Sequence, residues 1–551
     1  MRRLAVLAAV LTATPAFASA DPGGMHAYVL GRHAFAMDQI DQASRYFASA
    51  LSADPDDPVL LRRTFDLALA AGEETLANRL AEKLAVANRY DTTVGLVRIA
   101  AAIKRKDWDT ADRLRADLAQ AGFAAFTLPI VEAWTLQGRG RTNEALSKLT
   151  VDGQDGFARV YTAEHRAHIL AAAGRWNEAA AAYDLIFATD GQRNGRYRIA
   201  AADALQRAGR VDEAAKLLAN ATDQTMIAAA ERLAAGRPIG RTVDDPREGV
   251  AELFTRLGAD LSREKPLPIA LVVARLATFL APDSADGWLV TADVLARSGQ
   301  NDAALAALNR VDTKSVIGTQ AAARRAGILA QSDRPAESLV ILEAAVKSPD
   351  ARYDDWARLG ETYSRLERFA DSAAAFDKAL ALSAPDAPDR WYLLYGRGGA
   401  YERAGDWKKA EADLRAALAL SPNEAAILNY LGYAMLDRGE RLAEATQLIE
   451  KAVAAKPDDG YIIDSLGWAY FRAGRYAQAA TMLERAVAEV PDDPTINEHL
   501  GDAYWKLGRR TEARFRWKAA LDGGPDKESQ ARVAAKLDYG LDAAALVQRK
   551  P

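Results

Sequence analysis

The sequence predicts an all-α protein built as a solenoid of stacked helix pairs. Alanine is abundant and β-branched runs are few across the 551 residues, which favours helix. Four glycines near the C-terminal end, Gly398, Gly432, Gly467 and Gly501, are spaced 34, 35 and 34 residues apart. Between successive glycines, apolar residues recur at helical spacing in two segments joined by a short turn. A repeat of this length predicts units that share one continuous core.

The first element along the chain is predicted to be a cleavable signal peptide, residues 1–20. Arg2 and Arg3 precede the apolar segment 4–11, and small residues at 18–20 suit a cleavage site. The apolar segment is shorter than the roughly 20 residues that a membrane-spanning helix needs. We therefore expect a protein exported to the bacterial periplasm, with no transmembrane segment after cleavage.

Composition excludes several classes of protein. The chain has no cysteine, which rules out disulfides, thiolate chemistry and a lipid anchor on cysteine. Its formal net charge is −4, and such a mildly acidic chain argues against nucleic acid as a partner.

After the signal peptide, the pattern predicts an N-terminal arm of helix pairs over residues 21–235. Its first unit carries Leu30 and Gly31 followed by Ala43 and Phe47 at repeat spacing. Weaker units centre on Ala77, Ala111 and Ala145 in this arm, and on Ala270 and Ser338 beyond it. The segment 236–249, GRPIGRTVDDPREG, interrupts the pattern with prolines and glycines, and we interpret it as a hinge loop.

The C-terminal arm, residues 250–524, contains the clearest units, and each recurring residue type has a physical role. Gly467 stands in a first helix where a side chain would block the second helix, and Ala479 is its small partner there. Gly474 suits the end of the first helix, and Asp493 suits the start of the next. Residues 525–551 are predicted to form a capping helix and tail.

This spacing and residue pattern resemble the tetratricopeptide repeat, a helix–turn–helix unit of about 34 residues. The resemblance implies a right-handed superhelical solenoid of about fourteen such units or units like them. It also implies that the protein binds other proteins and works as a scaffold.

In that family, the first helix of each unit lines a groove for the partner. Carried over position by position, the groove residues are Asn429, Tyr433, Tyr461, Asp464, Trp468, Arg472, Glu498, Asp502 and Trp505, with Tyr430, Leu436, Phe471, His499 and Lys506 beside them. The basic clamp with which chaperone-type members hold a carboxylate is missing here. Aromatic and acidic groups suit an apolar or basic segment instead. The alternative for the two tryptophans is packing between helices, where aromatic residues at helical spacing usually lie.

A narrower resemblance concerns about 100 residues. The segments LNYLGYAMLDRG, IIDSLGWAYFRAGRYAQAATMLERAV and INEHLGDAYWKLGRRTEARFRWKAAL are similar to the C-terminal repeats of a bacterial periplasmic adaptor. That adaptor activates a carboxyl-terminal processing protease and presents cell-wall hydrolases to it. It is a lipoprotein, whereas this chain has no cysteine for an anchor. The resemblance implies an adaptor for such a protease; the alternative is a scaffold for polysaccharide export or outer-membrane assembly.

Catalytic chemistry has little support in the sequence. His165 and His168 would lie on one helical face, where two imidazoles can bind a metal, but the sequence suggests no third ligand nearby. No nucleophile elbow, phosphate-binding loop or H-E-x-x-H motif occurs. We therefore expect no catalytic residue, metal or cofactor, and no enzyme; a cryptic metal-dependent enzyme is the alternative.

Overall fold

The computed structural model describes most of the chain. The described residues are 24–118, 127–150, 156–190, 195–219, 221, 224–240, 243, 245–263, 268–312, 316–348 and 351–541. The predicted signal peptide, 1–20, and the end of the predicted tail, 542–551, lie outside them.

The described residues form thirty helices and no strand, which confirms the all-α prediction. The chain divides into two compact units, Met1–Arg334 and Pro335–Pro551, here called unit 1 and unit 2. Among the described residues, every helix is too short or too polar to span a bilayer.

Unit 1 contains eighteen of these helices. They are α1 Gly24–Ala36, α2 Ile40–Ala53, α3 Pro58–Ala71, α4 Glu74–Ala87, α5 Thr92–Lys104, α6 Trp108–Asp117, α7 Leu128–Gly138, α8 Thr142–Lys148, α9 Gly156–Ala172, α10 Trp176–Asp190, α11 Gly195–Arg207, α12 Val211–Leu218, α13 Gln224–Ala234, α14 Pro246–Leu261, α15 Pro268–Leu280, α16 Ala285–Arg297, α17 Asn301–Leu308 and α18 Val316–Gln331.

Unit 2 contains the other twelve. They are α19 Pro335–Ala345, α20 Tyr353–Arg365, α21 Phe369–Leu382, α22 Arg390–Arg403, α23 Trp407–Leu420, α24 Ala425–Asp437, α25 Leu442–Ala455, α26 Gly460–Arg472, α27 Tyr476–Glu489, α28 Pro494–Lys506, α29 Arg510–Asp522 and α30 Lys527–Tyr539.

The recurring glycines of unit 2 mark the close contacts within each helix pair. A Cβ atom at Gly467 would lie 2.5 Å from Leu483 Cγ, so only glycine allows α26 and α27 to approach this closely. Gly501 is in the same situation, with a Cβ 2.5 Å from the Trp517 indole. The predicted role of these glycines is therefore confirmed by geometry.

The turns of unit 2 follow the predicted capping chemistry. Gly474 adopts a φ of +74° just after α26, a left-handed conformation that side chains rarely take. At the start of α28, the Asp493 carboxylate accepts hydrogen bonds from the backbone N–H groups of Thr495 and Ile496. These caps satisfy backbone groups that a helix end leaves unpaired.

Unit 1 departs from a simple stack of pairs, because α14 and α15 pack back onto earlier helices. Helix α15 packs against α3 and α5, and α14 packs against α5, α7 and α9. The Arg275 guanidinium donates hydrogen bonds of 2.9 and 2.6 Å from Nε and Nη2 to the Ala70 carbonyl oxygen, at the end of α3. The first helices of the early pairs therefore face an inner pair of this same unit.

The predicted hinge at 236–249 does not separate the two units. Helix α14 already begins at Pro246, capped by the Asp245 carboxylate. Gly249 lies inside this helix, where a side chain would overlap the Trp134 indole of α7. Ile239 and Val243 join a core that continues on both sides of the segment. The compact units instead divide between Arg334 and Pro335.

Candidate functional site

The predicted groove corresponds to the face of unit 2 formed by the first helices of its pairs, α20, α22, α24, α26 and α28. Residues one turn apart on a helix share a face. In a stack of repeats, corresponding positions of successive first helices lie side by side. Within the described part of unit 2, each helix packs mainly against helices one or two places away along the chain. Among the described residues of unit 2, no helix pair packs across these first helices as α14 and α15 do in unit 1. We call it the inner face of unit 2.

Five aromatic residues run along this face, and we call them the aromatic strip: Tyr395, Tyr430, Tyr433, Trp468 and Phe471. The rings of Tyr395 and Tyr430 meet edge to face, with centroids 5.6 Å apart. Each of the five side chains is half-buried, so each keeps part of its surface exposed. Tyrosine and tryptophan, which make up four of the five, are among the side chains that anchor protein partners most often.

Trp468 is held in place by stacking against two neighbouring rings. Its ring lies parallel to Phe471 at 4.8 Å and to His499 at 4.1 Å. His499 is itself buried, and its Nδ1 lies 2.9 Å from Asp464 Oδ1. Burial disfavours the imidazolium, but the Asp464 carboxylate outweighs it and raises the pKa of His499. The predicted groove residue Asp464 therefore supports the stack from within and is not presented to a partner.

Three predicted groove residues are less constrained: Tyr433 belongs to the strip, and Asn429 and Arg472 lie beside it. Tyr433 is half-buried, and burial together with the nearby Asp464 charge raises its pKa. Asn429 is also half-buried, and its carboxamide oxygen accepts no hydrogen bond from the part of the chain that the structure describes. The Arg472 side chain is exposed at the end of α26 and makes no hydrogen bond or ion pair with any described residue.

Tyr461 lies apart from the strip, although its position in the repeat predicts the groove. It is 60% exposed in the first turn of α26. It borders a shallow pocket lined by the turn at 455–460 and by Glu489 and Val490 of the next turn.

Glu498 and Asp502, also predicted for the groove, form ion pairs with the last helix. Arg532 donates to both carboxylate oxygens of Glu498 at 2.8 and 2.9 Å. Lys536 Nζ lies 2.6 Å from Glu498 and 2.6 Å from Asp502, and Trp517 Nε1 donates to Asp502 at 2.9 Å. Both acidic residues are buried, so the expectation that they would attract a basic segment does not fit the structure.

The pKa values of this pair of carboxyl groups reflect the same contacts. Burial opposes ionisation, but Arg532 and Lys536 outweigh it and lower the pKa of Glu498 to about 2. At Asp502, burial prevails over Lys536 and raises the pKa. Helix α30, predicted as a capping helix, is thus bound to α28 by charge as well as by apolar contact.

Trp505 packs against the residue that follows the capping helix α30 and does not line an open groove. Its indole is half-buried against Gly540, where a side chain would overlap it, and its centroid lies 5.3 Å from that of Trp517. The guanidinium groups of Arg510 and Arg514 lie over its ring at 4.8 and 5.4 Å. The alternative of packing between helices therefore describes Trp505 better than partner binding does.

Two features of the site escaped the sequence-based prediction. Tyr395 was not singled out, although it occupies the repeat position of Asn429, one unit earlier. The pairing of Glu498 and Asp502 with Arg532 and Lys536 was also missed. The sequence does carry a signal for this pairing. The two acidic residues are four residues apart, as are the two basic ones, so each set shares a helix face.

Comparison with known proteins bears on this same region. Residues 357–424, 395–460 and 465–528 match the model of the tetratricopeptide repeat. These segments of unit 2 are tetratricopeptide repeats. The repeats make the chain a protein-interaction scaffold, and α20 to α29 are their helices.

Two curated proteins of Pseudomonas aeruginosa resemble short parts of the chain. TPR repeat-containing protein PA4667 is 43% identical over 88 residues, which is 16% of this chain and 15% of that protein. Cytochrome c-type biogenesis protein CycH is 34% identical over 125 residues, which is 21% of this chain and 28% of that protein. The chain thus spans less than a third of the length of either relative.

Solved structures with similar folds have low overall scores. The Cut9 and Hcn1 assembly of the APC/C matches with a TM-score of 0.39 and 14% identity, covering 94% of this chain and 96% of the other. The pilF protein of Pseudomonas aeruginosa matches with a TM-score of 0.30 and 22% identity, covering 35% of this chain and 87% of the other. At these scores, neither likeness carries an argument about function.

Proposed function

We propose that this protein is an exported scaffold of the bacterial envelope whose tetratricopeptide repeats bind a protein segment on the inner face of unit 2. The observation that carries the proposal is the contrast between the two units. In unit 1, the first helices pack onto the unit's own pair α14 and α15. In the described part of unit 2, the corresponding face carries only the aromatic strip and its neighbours.

The chemistry of the strip indicates an apolar segment with a polar or acidic group near one end. The half-exposed ring of Tyr433 offers flat apolar surface at low conformational cost, and Trp468 adds the part of its indole that Phe471 and His499 leave exposed. Arg472 offers a guanidinium that no described residue occupies.

The partner we propose is a periplasmic carboxyl-terminal processing protease, to which the scaffold presents protein substrates such as cell-wall hydrolases. The similarity of the last three repeats to those of a known protease adaptor supports this proposal. A second candidate is a scaffold for the assembly of envelope proteins. It is favoured by the resemblance of 125 residues to a protein named for cytochrome c biogenesis.

The test is a crosslinking pull-down from the envelope fraction, with the tagged full chain as bait and mass spectrometry as the readout. The variants are Tyr433→Ala and, as a matched control, Phe515→Ala, which removes an aromatic ring that is 71% exposed on a second helix. The proposal predicts that the protease is recovered with the wild type and the control and is lost with Tyr433→Ala. Recovery of assembly factors without a protease would favour the second candidate, and equal recovery with Tyr433→Ala would contradict the binding face.

Export is tested separately, because the scaffold could bind its partner in any compartment. Intact mass of the purified chain is expected to show cleavage after Ala20, and cell fractionation is expected to place it in the periplasm. An uncleaved chain in the cytoplasm would remove the envelope from the proposal and leave the binding face untouched.

A further inference from the structure

A cluster of polar side chains is buried in unit 1 where α14 packs against α9. Glu164 and His168 lie one turn apart on α9, and Glu252 lies on α14. All three are buried, with exposed fractions of 0%, 3% and 7%. Glu252 is far from the two α9 residues in sequence, and the structure brings it to them as the third group that the sequence did not suggest.

Each of the three side chains is anchored on one side. The Tyr197 hydroxyl donates to Glu164 Oε2 at 2.7 Å, and the Tyr183 hydroxyl lies 2.8 Å from His168 Nδ1. Arg196 forms an ion pair with Glu252 Oε2. These contacts fix the orientation of each group, as supporting hydrogen bonds do around a metal.

The other atom of each group makes no hydrogen bond with any described residue. These atoms, Glu164 Oε1, His168 Nε2 and Glu252 Oε1, are buried and lie within 4.8 Å of one another. His168 Nε2 and Glu164 Oε1 are 3.7 Å apart, too far for a direct hydrogen bond. Three unpaired buried polar atoms, at roughly 1–3 kcal/mol each, are costly unless something lies between them.

We propose that Glu164, His168 and Glu252 bind one divalent transition-metal cation, with zinc(II) as the ion that suits them best. One imidazole and two carboxylates are ligands that zinc accepts, whereas magnesium and calcium prefer oxygen alone. Ligand bonds of about 2.0–2.2 Å place ligand atoms at most about 4 Å apart, so small side-chain rotations bring the widest pair into range.

The site fastens the inner pair of unit 1 to its surroundings. Glu164 and His168 belong to the early helix pairs, whereas Glu252 belongs to α14. A shared cation therefore ties α14 to α9 at a point enclosed by protein. The competing arrangements are a buried water molecule or a proton on Glu252, whose pKa burial raises.

The test is the metal content of the full chain, purified with a tag that does not bind metal. Inductively coupled plasma mass spectrometry would count bound zinc, and titration against a chelator would give its affinity. The ligand variants are His168→Asn and Glu252→Gln. The matched control is His165→Asn, because His165 is equally buried and its Nδ1 accepts from Trp134 Nε1 at 3.1 Å, a bond that asparagine can keep.

The proposal predicts one zinc per chain in the wild type and in the control. In each ligand variant, the zinc affinity should be more than about 100-fold weaker, a larger loss than changing a residue that only supports a ligand would cause. A wild-type chain that takes up no zinc would overturn it, and so would a control that loses zinc as His168→Asn does. Circular dichroism checks that each variant is folded. Visible absorption after cobalt(II) is added to the wild-type chain is a second test that needs no variant. Absence of visible bands would also contradict the site.

Discussion

His499 Nδ1 lies 2.9 Å from Asp464 Oδ1, in a buried contact between neighbouring repeats. The Asp464 carboxylate comes from α26, and Glu498 and Asp502 on the same helix as His499 add negative charge. Together they outweigh the effect of burial and raise the pKa of His499 above the value of about 6.5 that an exposed histidine has.

This contact predicts that unit 2 becomes less stable as the pH rises. The pKa of His499 is higher in the folded state than in the unfolded state. The stability that the protonated imidazole contributes is therefore complete below the unfolded-state pKa and is lost as the pH rises through the folded-state pKa. Urea unfolding followed at about pH 6 and about pH 9 should show a lower midpoint at the higher pH. Asp464→Asn should remove much of this difference; an unchanged pH dependence would show that the pair does not cause it.

Gly467→Leu should destabilise unit 2 by about 1–3 kcal/mol, because the new side chain would overlap Leu483. The control is Gly399→Ala, also within a first helix, where a Cβ would lie 3.6 Å from the Tyr430 hydroxyl, an ordinary contact. Replacing a helical glycine with alanine at such a site should stabilise by about 0.5–1 kcal/mol. Thermal unfolding of the two variants measures the difference, and similar melting temperatures would refute the close crossing at Gly467.

Lys536→Met should cost about 3 kcal/mol of stability, since it leaves the Asp502 carboxylate buried without a cation. Lys527→Met serves as the control, because Lys527 is exposed at the start of the same helix. Chemical unfolding at neutral pH compares the two. If the free energies of unfolding of the two variants differ by less than about 0.5 kcal/mol, as is usual for surface changes, the ion pairs of Lys536 do not hold helix α30 in place.

The two tryptophans of the predicted groove should behave differently. Trp505→Ala should lower stability by about 3 kcal/mol, since the indole packs beneath Gly540. Trp468→Ala should weaken partner binding by about tenfold or more, because a partly exposed aromatic anchor is lost. Melting temperature and partner recovery, measured on the same preparations, separate the two effects; a reversed pattern would contradict the assignment.

Much of unit 2 could be predicted from the sequence because its contacts are local. Gly467 and Leu483 are sixteen residues apart, and the repeat places Gly501 and Trp517 at the same offset. Caps such as Asp493 act on the next few residues. Where the pattern is strong, the helix pairs and their close crossings follow from spacing and residue size.

The rest depends on contacts that no local pattern announces. Arg275 meets the Ala70 carbonyl across 205 residues, and nothing near either residue signals that α15 returns to α3. Trp468 and Trp505 look alike in the sequence, since both fall on the predicted inner face. Only tertiary contacts distinguish them: Trp468 stacks on His499, whereas Trp505 packs against Gly540.

The most direct measurement is photo-crosslinking in living cells, with a light-activated amino acid placed at Tyr433 in one strain and at Phe515 in another. Both positions carry aromatic residues of unit 2, but only Tyr433 lies in the aromatic strip. Binding on the inner face predicts a crosslinked protease from position 433 and none from position 515. A protease adduct from position 515 alone, or from neither position while the protease is expressed, would contradict it.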